Sequence, residues 1–77
     1  MEQAEQSRPL DSLSKARGKR VLVELKGGVR LSGRLKAFDI HINTVLDEAE
    51  ETKGDSSRKL GTVFIRGDTI ILISPTE

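Results

Sequence analysis

Two short polar segments carry the side chains best suited to binding chemistry in this 77-residue chain. The first is Asp39-Ile40-His41-Ile42-Asn43 and the second is Ile65-Arg66-Gly67-Asp68, and each lies between apolar runs typical of strands. Together the two segments offer an amide, an imidazole, a guanidinium and a carboxylate. Because loops on a rigid β scaffold commonly carry binding residues, we expect these two loops to bind a nucleotide base.

The aromatic content indicates how such a base would be held. Phe38 and Phe64 are the only Phe, Tyr or Trp residues, so the aromatic platforms that often bind single strands are largely missing. Imidazole and guanidinium planes can stack on bases instead. An amide presents a donor beside an acceptor, which matches the N3 hydrogen and a carbonyl of uracil.

The residues before the first loop predict a helix and two strands. Pro9 suits the first position of a short helix and Gly18 suits its C-terminal cap. Apolar and polar residues then alternate over 21–25 and 29–37, on either side of a Gly-Gly turn. Gly33, in the middle of the second strand, predicts the sharp bend of a small barrel.

The apolar alternation changes phase at Phe38, which predicts a bulge or a strand end and therefore a loop near residues 39–43. The remaining pattern predicts two strands, a turn and a last strand. We expect them at 44–51, 60–65, 66–68 and 69–74, with a polar connection over 52–57.

The last predicted strand favours assembly. Its core, Ile70-Ile71-Leu72-Ile73, is apolar on both faces, whereas a small barrel covers only one face of a terminal strand. An exposed edge of this kind is an aggregation hazard unless another subunit pairs with it. Because a repeated head-to-tail contact closes into a ring when the rotation permits, we expect a ring.

Charge and composition limit the classes of function that we expect for this chain. The net charge is +1, but residues 17–36 hold seven basic and one acidic residue, and residues 37–55 hold six acidic and one basic. A basic face attracts phosphates, although a merely solvated strand surface explains these charges equally well. With no cysteine and one histidine, we expect no metal or other cofactor. Neither a signal peptide nor a long apolar span is evident, so we expect a soluble, cytoplasmic protein.

Residues 18–50 resemble the first Sm motif and residues 60–75 the second, and Arg8-Pro9-Leu10-Asp11 is similar to the start of archaeal Sm-like (LSm) proteins. The resemblance implies a mainly β fold at 9–75, with a short N-terminal helix and a strongly bent, five-stranded antiparallel SH3-like barrel. The segment 1–8 before it is polar, and we expect it to be flexible. The resemblance also implies a ring of identical subunits, commonly seven, joined fifth strand to fourth strand. Such rings bind uridine-rich single-stranded RNA at the central pore, in RNA processing or ribonucleoprotein assembly. Ile42 stands where Met is common, and Thr44 where a larger apolar residue is usual.

The resemblance also assigns roles to side chains. His41 and Arg66 are expected to sandwich the base, Asn43 to read its edge, and Asp68 to fix Asn43, with support from Asp39 and Gly67. Ordinary structural roles compete with these assignments. Asn43 alone would suit a turn, and the Arg66 and Asp68 side chains alone could pair across a tight turn.

Two other function classes compete with RNA binding. An enzyme is disfavoured because no Ser-His-acid order is evident and a barrel of this size has little room for a water-excluding pocket. The alternative is a small β-barrel module for protein contacts, without RNA binding, that docks through the acidic segment 47–51. Affinity for RNA separates that module from the Sm-like interpretation.

Overall fold

The computed structural model describes residues 8–77, so the predicted flexible segment 1–8, apart from Arg8, lies outside the described residues. The described part has one helix, α1 (Pro9–Ser14), and five strands. The strands are β1 (Arg20–Leu25), β2 (Val29–Phe38), β3 (Thr44–Lys53), β4 (Ser56–Ile65) and β5 (Ile70–Pro75), with a 3-10 turn at Gly67–Thr69. All neighbours pair antiparallel in the order β4-β3-β2-β1-β5, which confirms the mainly β fold with a short N-terminal helix. No helix within residues 8–77 is long and apolar enough to cross a membrane.

The helix begins at Pro9 as predicted but ends earlier than the sequence suggested. Its C-terminal cap is Lys15, so the assignment of Gly18 as the cap was wrong. Gly18 instead has φ +82° and donates its N–H to the Leu35 carbonyl at 2.7 Å. It therefore turns the chain out of the helical region and onto the end of β2.

The core lies on one face of β1 and β2, where the predicted alternation is confirmed. Val21, Val23, Leu31 and Leu35 are buried, together with Leu46 of β3. The pattern also placed Ala37 on this face, but Ala37 is exposed. The pairing of β2 with β3 shifts between Leu35 and Ala37, so the phase changes just before Phe38.

Gly33 marks a close approach between β2 and β3. The register of this pair shifts between Ser32 and Arg34. A Cβ atom at Gly33 would lie 2.8 Å from the carbonyl oxygen of Asp47 and 3.1 Å from the Cα of Ala49. Only glycine fits there, and the irregular pairing bends the sheet as the mid-strand glycine predicted.

The connection predicted at 52–57 was wrong, because β3 and β4 continue through it. Only Gly54 and Asp55 remain between the strands, and Gly54 has φ +59°. Cross-strand contacts hold this polar hairpin, including a 2.6 Å hydrogen bond from Arg58 Nε to Glu51 Oε1. Hydrophobic periodicity cannot detect a ribbon whose two faces are both polar.

The two ends of the strand order carry exposed apolar side chains. On β4, Phe64 is 82% exposed, and on β5, Ile71 and Leu72 are 59% and 43% exposed. The neighbouring residues Ile70 and Ile73 pack partly against the core. The fifth strand is therefore covered on one face only within residues 8–77, as its uninterrupted apolar sequence predicted.

Candidate nucleic-acid interface

The loop between β2 and β3 and the turn after β4 are in contact through a side-chain hydrogen bond and a close backbone approach. Gly67 donates its N–H to Asn43 Oδ1 at 2.8 Å. A Cβ at Gly67 would overlap the carbonyl oxygen of His41 and lie 2.8 Å from the carbonyl carbon of Ile42. A shallow pocket of about 370 Å³ opens at this junction, lined by His41, Asn43, Arg66, Gly67 and Asp68. The structure thus brings the four predicted base-binding side chains to one place.

The carboxylate of Asp39 organises the first loop. Its Oδ1 accepts the backbone N–H groups of His41 at 2.9 Å and Asn43 at 3.0 Å, and its Oδ2 accepts from Asn43 Nδ2 at 3.1 Å. These hydrogen bonds hold the pKa of Asp39 below its ordinary value of 3.8. The bond from the Asn43 side chain has the largest effect. Because the pKa of Asp39 is lower in the folded protein than in the unfolded chain, its ionised carboxylate stabilises the folded state at neutral pH. This stabilisation is lost as the pH falls through the lowered pKa.

The amide of Asn43 is held in one orientation by two different partners. Its Oδ1 accepts from Gly67 and its Nδ2 donates to Asp39. A flipped amide would set donor against donor at Gly67 and oxygen against the carboxylate at Asp39. One N–H of Nδ2 and one lone pair of Oδ1 remain for a ligand.

The predicted restraint of Asn43 by Asp68 was wrong. Asp68 Oδ2 instead accepts from Arg66 Nη2 at 3.0 Å, and Asp39 supplies the restraint that was assigned to Asp68. The sequence signalled only the backbone bonds of Asp39, because an Asp at the start of a loop commonly accepts backbone N–H groups a few residues on. Both candidates are acidic, and only the fold decides which one reaches the amide.

The two candidate stacking planes are accessible. His41 is exposed, and the Arg66 side chain is 81% exposed. Exposed ion pairs such as that of Arg66 with Asp68 are worth at most about 1 kcal/mol, so the guanidinium can move onto a ligand at little cost. The carbonyl of Arg66 is better fixed, because it accepts from Thr69 Oγ1 at 2.7 Å.

Known proteins resemble this chain over almost its whole length. The LSM domain model matches residues 11–75. An snRNP Sm-like protein of Methanococcoides burtonii is 50% identical over 70 residues, which cover 90% of this chain and 97% of the relative. The chain belongs to the LSM family.

Solved Sm structures share the fold of this LSM chain. A Pyrococcus abyssi Sm protein, solved in complex with a uridine heptamer, superposes with a TM-score of 0.85 at 44% identity, covering 91% of this chain and 100% of that one. A heptameric Sm protein of P. aerophilum gives a TM-score of 0.86 at 35% identity, covering 92% and 96%. The resemblance drawn from the two sequence motifs is therefore confirmed.

Within residues 8–77, no group of three or more His, Cys, Asp or Glu side chains is arranged to hold a metal ion. The pocket offers hydrogen-bonding and stacking groups instead, which suit recognition of a planar polar ligand.

Replacing Gly67 by Ala should separate the two loops of the LSM domain. The new methyl group would overlap the His41 carbonyl, and overpacking of this kind typically destabilises by about 1–3 kcal/mol. We expect a lower melting temperature by calorimetry. Gly54→Ala is the control, because its methyl group meets no atom within 4 Å although φ is +59°. A smaller loss for Gly67→Ala than for Gly54→Ala would contradict the close approach.

Proposed function

We propose that this chain is a non-enzymatic RNA-binding protein of the cytoplasm. It forms a ring of seven identical subunits and binds uridine-rich single-stranded RNA around the central pore, in RNA processing or ribonucleoprotein assembly. The observation that carries the proposal is the Asn43 amide, fixed in one orientation in an open pocket beside His41 and Arg66. The heptameric relative and the relative solved with a uridine heptamer support the same function.

The free strand edges support a ring. One apolar groove of about 390 Å³ runs along the β4 side and includes Phe38, Val45 and Phe64. A second, of about 290 Å³, runs along the β5 side and includes residues 70–73. Pairing β4 of one subunit with β5 of the next would cover both grooves and continue the sheet. Because the two surfaces differ, the contact is head-to-tail and repeats until the ring closes.

The fixed amide supports a preference for uracil. Uracil can donate its N3 hydrogen to Asn43 Oδ1 and accept from Nδ2 through a carbonyl oxygen. Cytosine presents an acceptor at N3 and an amino donor beside it, which reverses the pattern. The flip that would satisfy cytosine breaks the bonds to Asp39 and Gly67. The planes of His41 and Arg66 would stack on the base and contribute to affinity for any base.

The acidic segment gives less support to a module for protein contacts alone. Asp47 accepts from Thr62 Oγ1 at 2.7 Å and lies 3.8 Å from Lys36 Nζ. Glu48 Oε1 lies 3.6 Å from Arg20 Nη1 and 3.7 Å from Arg34 Nε. Asp47 and Glu48 therefore already face basic groups of the same chain, so a partner would have to compete with these groups for the two carboxylates.

The proposed function is tested by native mass spectrometry and by titration of uridine, cytidine and adenosine heptamers. We expect a seven-subunit mass for the protein alone and the tightest binding for uridine. The proposal would be overturned by a folded monomer, or by equal affinity for the three oligonucleotides. A ring without RNA affinity would instead favour the protein-contact module.

Salt should weaken the binding of a uridine heptamer, but less than for a strand held by phosphates alone. A ring repeats the basic residues of segment 17–36 around one axis, so it attracts the RNA backbone although each subunit carries only +1. Stacking and edge recognition release no counterions. The logarithm of the affinity should therefore fall less steeply with the logarithm of the salt concentration. Fluorescence anisotropy over a salt series measures this dependence. Affinity independent of salt would count against backbone contact.

A further inference from the structure

The peptide group between Ile42 and Asn43 is held at both ends. Its carbonyl, from Ile42, accepts the Thr44 hydroxyl at 2.6 Å. Its N–H, from Asn43, donates to Asp39 Oδ1 at 3.0 Å. The orientation of this peptide sets the direction in which the Asn43 side chain leaves the loop.

Ile42 has an unfavourable backbone conformation that needs this support. Its φ is +62°, in the left-handed region that β-branched residues rarely adopt. Its N–H donates to the Asp39 carbonyl at 2.9 Å, and its half-buried side chain lines the groove that also includes Pro9 and Leu13. The loop therefore keeps a strained residue next to the side chain proposed to read the base.

The hydroxyl of Thr44 is shielded from solvent, since the residue is only 1% exposed. A side chain of the same shape without a hydroxyl would therefore leave the Ile42 carbonyl without this donor.

We propose that Thr44 is a positioning residue for base selection. Its hydroxyl fixes the Ile42 carbonyl, and through that peptide it fixes the direction of the Asn43 amide. This inference rests on the proposed function, because it concerns how the uracil edge is read. If Thr44 served only to fill the core, Val of nearly the same shape would replace it without effect on base preference.

The test compares Thr44→Val, which removes the hydroxyl, with Thr44→Ser, which retains it. Thr62→Val is the matched control, because it removes a threonine hydrogen bond to Asp47 outside the loop. We expect Thr44→Val to reduce the ratio of uridine-heptamer to cytidine-heptamer affinity about fivefold, the usual effect of one hydrogen bond. Thr44→Ser and Thr62→Val should keep the ratio of the unmodified protein.

A second measurement needs no RNA. Hydrogen exchange at the backbone N–H of Asn43, followed by NMR, reports the bond from that N–H to Asp39 Oδ1. We expect exchange to be about fivefold faster in Thr44→Val and unchanged in Thr44→Ser and Thr62→Val.

The two measurements separate the possible failures. An unmodified protein that does not prefer uridine would overturn the proposed function. A selective protein whose Thr44→Val variant keeps its preference would overturn only the role of Thr44. Unchanged exchange in Thr44→Val would overturn the inference whatever the RNA result, whereas faster exchange together with reduced preference supports it.

Discussion

Ile71→Lys is expected to abolish the ring, leaving unfolded or aggregated chains in place of a seven-subunit mass. Ile71 is 59% exposed in a single subunit, on the strand proposed to pair with the next copy. Assembly would bury the introduced ammonium group without a partner at every contact around the ring. Each burial would cost several kcal/mol, which exceeds what an apolar strand contact can offset. Native mass spectrometry and circular dichroism measure assembly and folding on one sample.

Two further variants complete this test: one places the charge on the other edge of the proposed contact, and one is a control. Phe64→Lys places the same charge on the β4 edge, where the side chain is 82% exposed, and should have the same effect because one contact uses both edges. Thr52→Lys adds the charge to the exposed end of β3, which already pairs with β2 and β4 within the subunit, and should leave the ring intact. An intact ring in Ile71→Lys would show that β5 is not the assembly edge.

Asn43→Ala should remove the preference for uracil over cytosine, whereas Arg66→Ala should weaken binding to every base. Loss of one stacking plane costs about 1–3 kcal/mol per base, and an oligonucleotide that fills several equivalent pockets multiplies the loss. Titration of uridine and cytidine heptamers distinguishes the two patterns. Equal binding of both oligonucleotides by the unmodified protein would refute edge recognition by Asn43.

The acidic residues provide a sharper version of this test. Asp39→Asn should reduce the uracil preference, because one carboxylate oxygen becomes an NH₂ group. That group would oppose either the Asn43 NH₂ group or the backbone N–H groups from which the carboxylate now accepts. Asp68→Ala removes an equal charge, but the Asp68 carboxylate accepts from Arg66 and does not restrain Asn43, so this variant should keep the preference. The reverse outcome, with selectivity lost in Asp68→Ala and kept in Asp39→Asn, would contradict the restraint seen in the structure.

Much of the fold was predictable because apolar residues alternate wherever one face of a strand is buried. Val21 and Val23 on β1, and Leu31 and Leu35 on β2, follow that rule. The rule fails in the β3–β4 hairpin, where polar side chains on both faces pair across strands without a core. It also fails near Lys36. There the register between β2 and β3 changes, so the alternation of buried and exposed residues changes phase just before Phe38.

The location of the site was predictable, but its internal bonding was not. Two polar loops between strands predicted where His41, Asn43 and Arg66 would meet. Which of two carboxylates restrains the amide depends on loop geometry, and Asp39 rather than Asp68 is in reach. The left-handed conformation of Ile42 contradicts its local preference, so no pattern of residue types predicts it.

The bond from Gly67 to Asn43 has a consequence for how substitutions in this chain are tolerated. One amide oxygen both faces the open pocket and ties the first sequence motif to the second. A substitution at position 43 therefore damages recognition and the joint between the motifs together. Natural variation should consequently change the ligand preference through residues 41 and 66, which line the pocket but do not form the bond between the two motifs. Position 43 should change only together with a new way of connecting the two halves of the domain.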